Sequence, residues 1–224
     1  EASQIAALLT GAGLRDQVLD LCAGAGGKTL ALGALLRNTG QIYAYDRDPQ
    51  QLRPIFDRLK RAGVRNVQTV MPGDEDALLA LGQRFGVVLV DAPCTGSGTW
   101  RRRPDAKWRV SAANVAQRIE EQRAVLGLGR QLVRPGGRLV YVTCSILPEE
   151  NVDQVAWFLD AAPGFTIRPW QAAWASAIGG AVPRSADGRE DTLLLTPCSH
   201  GTDGFFVAIF EASDGAGEKS GGPT

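Results

Sequence analysis

Two cysteines stand in matching surroundings. Cys94 falls in Asp91-Ala92-Pro93-Cys94-Thr95-Gly96-Ser97-Gly98, and Cys144 in Val142-Thr143-Cys144-Ser145-Ile146-Leu147-Pro148-Glu149-Glu150-Asn151. Each follows a short apolar run and sits in a loop with Pro or Gly close by, where partial exposure and neighbouring backbone N–H groups favour the thiolate. A thiolate is a nucleophile, and a covalent intermediate divides one hard step into two easier ones. If the apolar runs are neighbouring strands, both thiols face one crevice. The plainer alternative makes both cysteines small buried fillers, the usual fate of a free thiol.

The other reactive residue types narrow the chemistry. His200 is the single histidine, so a histidine metal cluster or a Ser/His/Asp triad is disfavoured and no metal is expected. The four cysteines (Cys22, Cys94, Cys144, Cys198) lack regular spacing and no export signal precedes them, so they read as free thiols. Cysteines and carboxylates are left to carry a reaction.

A glycine loop, Asp20-Leu21-Cys22-Ala23-Gly24-Ala25-Gly26-Gly27-Lys28-Thr29, joins an apolar run to a helical stretch at Leu30 to Leu36. Small residues let backbone approach a ligand, and the helix start offers unpaired N–H groups. A Walker loop fails because Cys22 occupies its first glycine position, and a dinucleotide fingerprint fails at Thr29. A nucleoside without a long phosphate chain fits better. The next run ends at Asp46, where a carboxylate can accept both hydrogen bonds of a ribose diol. Asp20, Asp46, Asp74 and Asp91 thus close four successive runs, and in an open α/β sheet such ends line one rim, where ligands bind. Any one of them could equally cap a loop.

These loops need a frame. Runs rich in Val, Ile, Leu and Tyr recur at Gln17 to Leu21, Gln41 to Tyr45, Val67 to Met71, Gly86 to Val90 and Arg138 to Val142, separated by helical periodicity. Continuous apolar strands need cover on both faces, which predicts a doubly wound α/β fold around a mainly parallel sheet. Phe165 to Arg168, Thr192 to Thr196 and Gly204 to Phe210 read as later strands, the last two forming a hairpin-like antiparallel addition at the sheet edge. Ser3 to Leu9 reads as a helix, and 171–191 as an irregular surface excursion. The chain has 224 residues, 44% of them hydrophobic, which suits one domain over 1–212, with the Gly- and Ser-rich 213–224 a disordered tail. No apolar run nears the roughly 20 residues of a bilayer span and no signal peptide opens the chain. A cytoplasmic monomer with no membrane partner is expected.

Net charge is zero, but Trp100 to Arg138 holds ten Lys/Arg against three acids, so that segment is +7. It is a candidate polyanion surface, or else a solvated helix face. Trp100 and Trp108, interleaved with arginines, could stack on bases, although packing accounts for at least one of them.

Taken together, Asp20 to Thr29, Asp91 to Trp108, Val142 to Asn151 and His200-Gly201-Thr202-Asp203-Gly204-Phe205-Phe206 resemble the RsmB/Sun/NOP family of RNA 5-methylcytosine methyltransferases, and Arg101 to Trp108 most resembles its bacterial ribosomal-RNA members. The resemblance implies a Rossmann-like class I methyltransferase fold, S-adenosylmethionine as cofactor and RNA as partner, with 16S ribosomal RNA preferred over transfer RNA. It implies that Cys144 is the nucleophile and Cys94 aids product release. It also implies cofactor binding by the Cys22 to Lys28 loop (Cys22, Ala23, Gly24, Ala25, Gly26, Gly27, Lys28) and by Asp46, Asp74 and Asp91. Cytosine C5 is a poor nucleophile, but a thiolate added at C6 makes an enamine whose C5 can attack a methyl group. A partner near N3 must offset the ring's developing charge, for which Asp91 is the candidate, and a base must then remove the C5 proton. A buried base must be unpaired or flipped to reach a rim thiol.

Two departures accompany the resemblance. The family loop usually reads Ala-Pro where Gly24-Ala25 stands, which predicts a looser turn. Glu1-Ala2-Ser3-Gln4 resembles the interior of a family motif normally preceded by an RNA-binding region, so the chain is expected to be cut from a longer one. Three rivals remain: a DNA cytosine methyltransferase, whose nucleophile would be Cys94; a non-catalytic RNA-binding ribosome assembly factor; and a small-molecule methyltransferase, disfavoured by the basic block and paired thiols.

Overall fold

The computed structural model describes residues 1–214. In chain order its first half runs α1 (Ala2–Leu9), β1 (Gln17–Asp20), α2 (Gly27–Leu35), β2 (Gln41–Ala44), α3 (Pro49–Leu52), α4 (Ile55–Ala62), β3 (Val67–Thr69), α5 (Glu75–Leu79) and β4 (Phe85–Asp91). The second half adds α6 (Ala112–Gly129), β5 (Val133–Thr143), α7 (Val152–Ala161), β6 (Phe165–Arg168), α8 (Gln171–Ala177), β7 (Leu193–Leu195), α9 (Pro197–His200) and β8 (Phe205–Ala212).

The strands form one sheet in the order β3-β2-β1-β4-β5-β8-β6, with β7 paired to β8. β1 to β5 are mutually parallel, so the expected doubly wound α/β class holds. Alternate strand residues feed two apolar layers, as a sheet buried on both faces requires. Leu19, Val88, Leu139 and Phe206 face Leu126 of α6 and Phe158 of α7. Val18, Val87, Val140 and Val207 face Leu9 of α1, Leu32 of α2 and Trp174 of α8. Each such buried side chain contributes about 1.5–3 kcal/mol.

The expected antiparallel pairing of the last two strands holds, β7 with β8, and the addition is larger than expected: β8 pairs antiparallel with β5, and β6 and β7 share its far side. Two local expectations change. β5 begins at Val133 rather than Arg138, with Pro135-Gly136-Gly137 absorbed as an irregularity in the β4–β5 register. Within 171–191, α8 buries Trp174 against the α1 side, so this segment is not wholly an excursion. The expected tail begins with Ser213, whose N–H and hydroxyl both bond Gly164 O at 2.8 Å; residues 215–224 lie outside the described residues.

Past the strand ends, three loops cross. Gly98 N–H donates to Cys144 O at 2.9 Å, and Gly204 N–H donates to Gly98 O at 2.8 Å. A Cβ on Gly98 would stand 2.3 Å from Gly204 O, a backbone atom that cannot step aside. Gly98→Ala is therefore expected to lower the unfolding free energy by about 2–4 kcal/mol in urea denaturation. Gly127→Ala, on α6 with nothing within 4 Å of the added carbon, should be neutral or stabilising by up to about 1 kcal/mol.

Candidate active site

β4 and β5 are hydrogen-bonded neighbours, with Asp91 opposite Val142, so the loops that leave them emerge side by side. The two thiols meet there: Cys94 Sγ lies 3.3 Å from Cys144 Sγ. Their titrations part in opposite directions. The hydrogen bond from Cys94 holds the Cys144 thiol below its ordinary range against the opposing effects of burial and Asp91, and Lys28 helps. The same bond, reinforced by burial and the negative charges of Cys144 and Glu150, pushes Cys94 well up. Of the pair, Cys144 is the thiol that ionises more readily, and Cys94 is the one that holds its proton.

A cleft of about 500 Å³ opens beside the pair along the strand ends. Of the sequence candidates, Cys22, Asp46 and Asp91 line it. Burial and the carboxylates of Asp91 and Asp46 push the Cys22 thiol well up. Asp46 is preset by two backbone donors, Gly24 N–H at 2.8 Å and Asp48 N–H at 2.9 Å. Gly24 takes φ +49°, open to glycine without penalty, and its tie to Asp46 pins the turn that was expected to be loose. Ala23 N–H is bonded to Tyr45 O, Ala25 O accepts from Arg58, and Gly26 caps α2, whose first residue is the exposed Gly27.

The four acids do not share one rim. Asp74 is exposed and caps α5 by accepting from Ala77 N–H, and it is the following Glu75 that lines the cleft. Asp20 is fully buried under the loop, where Thr29 Oγ1 donates to it at 2.7 Å and its other oxygen has no partner among the described residues. Lys28 turns inward, 2.6 Å from Asp91 and 4.9 Å from the centre of the Phe205 ring.

The cleft suits the expected cofactor on its own chemistry. Asp46, Asp48, Glu75, Asp91 and Glu121 outnumber Arg47 and Arg118, a lining that attracts a cationic sulfonium and repels a polyphosphate. Leu21, Val125 and Leu128 supply an apolar wall for a base. Sequence reasoning missed the α6 wall, because nothing local marks which helix residues face a neighbouring strand end.

The basic segment divides in space. Arg101, Arg102, Arg103, Lys107 and Arg109 are exposed on the loop just after Cys94, and Arg101 and Arg102 both pair with Asp203. Arg130 and Arg138 instead bond Ala161 O and Gly11 O, at the opposite end of the sheet. The linear count of +7 therefore overstates the charge beside the thiols. Trp108 is 80% exposed, with Lys107 Nζ 4.6 Å from its ring centre, whereas the indole nitrogen of Trp100 is buried.

The family described as 16S rRNA methyltransferase RsmB/F matches residues 10–211. "Ribosomal RNA small subunit methyltransferase B" of Salmonella paratyphi B is 38% identical over 148 residues, 66% of this chain and 34% of that protein. The chain thus spans about a third of the length of the curated relatives it matches. The crystal structure of PH0851 superposes with TM-score 0.84 at 35% identity, covering 94% of this chain and 46% of that one. NSun6 from Pyrococcus horikoshii, solved with SFG, gives 0.78 at 28% identity, covering 94% and 51%.

Asp20 gives the site a titratable foundation. Burial pushes its carboxyl up to about 7 from an ordinary 3.8, so between those values the folded chain holds a proton that the unfolded chain has lost. The resulting stabilisation, at most about 4 kcal/mol, is full below pH 3.8 and is lost as pH rises to about 7. Asp20→Asn keeps an oxygen for Thr29 and carries no charge. Urea denaturation from pH 5 to 8 should therefore show wild-type stability falling relative to the variant; parallel curves would refute the buried titration.

Proposed function

The chain belongs to the RsmB/F family of 16S rRNA methyltransferases, and on that premise we propose that it methylates carbon 5 of a cytosine in RNA with Cys144 as nucleophile. The observation that carries this reading is the 3.3 Å contact between Cys94 and Cys144, in which Cys144 is the more readily ionised thiol of the pair. A DNA-type mechanism would need the opposite polarity.

Cys144 Sγ adds to C6 of a cytosine turned into the crevice, and the ring's electrons move toward N3 and C5. Asp91 accepts a hydrogen bond from the N4 amino group and so orients the ring, while the Lys28 ammonium paired with it offsets the negative charge developing at N3. S-adenosylmethionine, held by the glycine loop, Asp46 and the apolar wall of α6, supplies the methyl group when bound. Once Cys144 is tied up in a C–S bond its negative charge is gone, and with it the chief cause of the raised Cys94 titration. Cys94 can then release its proton to water in the crevice and, as thiolate, take the one on C5. The C5–H electrons become the restored double bond and expel Cys144 as thiolate.

Ribosomal RNA is the proposed substrate, consistent with the family. Arg101 to Arg103 and Lys107 would meet phosphates beside the thiols, and the open face of Trp108 would stack on a base, worth about 1–3 kcal/mol.

The test incubates the chain and its cysteine variants with labelled S-adenosylmethionine and unmodified small-subunit ribosomal RNA, followed by nucleoside analysis. The intact chain should yield labelled 5-methylcytidine. Cys144→Ala should lose at least about 10³-fold in rate, and Cys94→Ala should accumulate an RNA–protein adduct that survives denaturing gels. Label surviving in Cys144→Ala but lost in Cys94→Ala would move the nucleophile. Label on transfer RNA alone would change the substrate and leave the chemistry.

A further inference from the structure

Both thiols are held through their chain neighbours, and the holding groups converge on two adjacent residues. Asn151 Oδ1 accepts from Thr143 Oγ1 at 2.6 Å, and its Nδ2 donates to Ser145 O at 3.0 Å, so it grips the residues on either side of Cys144. Glu150 accepts from Thr95 N–H at 2.8 Å and from Thr95 Oγ1 at 2.5 Å. Gln122 Nε2 donates both to Glu150 at 3.1 Å and to Pro93 O at 3.0 Å, so the residues on either side of Cys94 are gripped as well. Glu150 and Gln122 are fully buried and Asn151 is 3% exposed.

This arrangement is expensive as mere packing. A buried carboxylate loses its hydration, and among the described residues no cation forms a salt bridge with Glu150. An apolar filler would serve stability as well. Tyr141 Oη fixes the backbone at the same point by donating to Glu150 O at 2.6 Å.

We propose that Glu150 and Asn151 are positioning residues, one peptide unit that clamps the Cys94 loop with one side chain and the Cys144 loop with the next, and so sets the separation and the unequal roles of the two thiols. The proposal rests on the roles assigned above to Cys144 and Cys94, and it deepens them. Asn151 governs distance. Glu150 adds a negative charge on the Cys94 side only, which keeps the proton there.

The test reads the thiols directly, in the full chain carrying Cys198→Ser to remove the exposed thiol. Dibromobimane fluoresces when it bridges two thiols at short range, and iodoacetamide labelling with peptide mass spectrometry reports each thiol's reactivity across pH. Asn151→Ala should slow bridging at least about 10-fold and lower kcat by a similar factor, with S-adenosylmethionine affinity within about threefold of the parent. Glu150→Gln, which keeps the shape and drops the charge, should keep bridging within about threefold and raise Cys94 alkylation at pH 7 at least about fivefold. Bridging at the parental rate in Asn151→Ala, or a Cys94 that stays as unreactive in Glu150→Gln, overturns the clamp. If Asn151→Ala no longer binds S-adenosylmethionine, Asn151→Ser is read by the same criteria. Slowed bridging together with full methyl transfer by Cys144→Ala would sink the nucleophile assignment and leave the clamp standing.

Discussion

A hydrogen bond between two thiols survives only where neither can turn away to water, and the 3.3 Å contact between Cys94 and Cys144 sets that demand on everything around it. The parallel pairing of β4 and β5 brings the two loops to the same end of the sheet. Strand pairing alone leaves side chains free by several ångströms, since loops past a strand end can splay. The excess is removed by polar ties: Gly98 to Cys144 O, Gly204 to Gly98 O, and the Glu150 and Asn151 bonds. β8 enters the same knot because its preceding loop supplies Gly204 and, through Asp203, a partner for Arg101 and Arg102. The inserted antiparallel strand is thus part of the site's scaffold as well as of the core.

The polar groups beneath the site are buried with their hydrogen-bond partners in place. Glu150 has three donors and, among the described residues, no cation in a salt bridge. Asp20 has one donor and one orphaned oxygen, and with Asp91 and Asp46 adding their repulsion it keeps its proton to about pH 7. A second ionised carboxylate under the glycine loop would compete with Asp91 for Lys28. Neutralising Asp20 leaves Lys28 to Asp91, whose orientation the cytosine edge would depend on.

Much of this was legible in the sequence, and what was not follows a pattern. The strand runs from Gln17 to Val142 are continuous apolar segments bounded by Gly, Pro and Asp, and periodicity reads those well. The loops bearing both thiols follow from strand adjacency. What failed was anything decided by a partner far along the chain. Asp20 and Asp46 both end strands, yet one is buried on Thr29 and the other faces the cleft, because the glycine loop folds back over the first strand alone. Asp74 has the local surroundings of a helix cap and became one. The charge count along 100–138 ignored the fact that α6 carries the chain from one end of the sheet to the other, which separates Arg101 from Arg138. Glu150 and Asn151 follow Cys144 closely, but their grip on residues 93–95 depends on the pairing of β4 with β5.

The near miss to a phosphate-binding loop has a structural explanation beyond its missing glycine. In Gly27-Lys28-Thr29 the lysine and threonine are the residues that would serve a polyphosphate and its metal. Here neither points outward. Lys28 is 7% exposed, paired with Asp91 and lying against Phe205, and Thr29 is fully buried with its hydroxyl on Asp20. Freeing Lys28 for a phosphate would abandon Asp91 in a cleft already rich in carboxylates, and freeing Thr29 would strip Asp20 of its one donor. The two side chains that would serve a phosphate loop are therefore committed elsewhere, Lys28 to orienting Asp91 and Thr29 to Asp20, and the carboxylates of the cleft favour a cationic ligand over an anionic one.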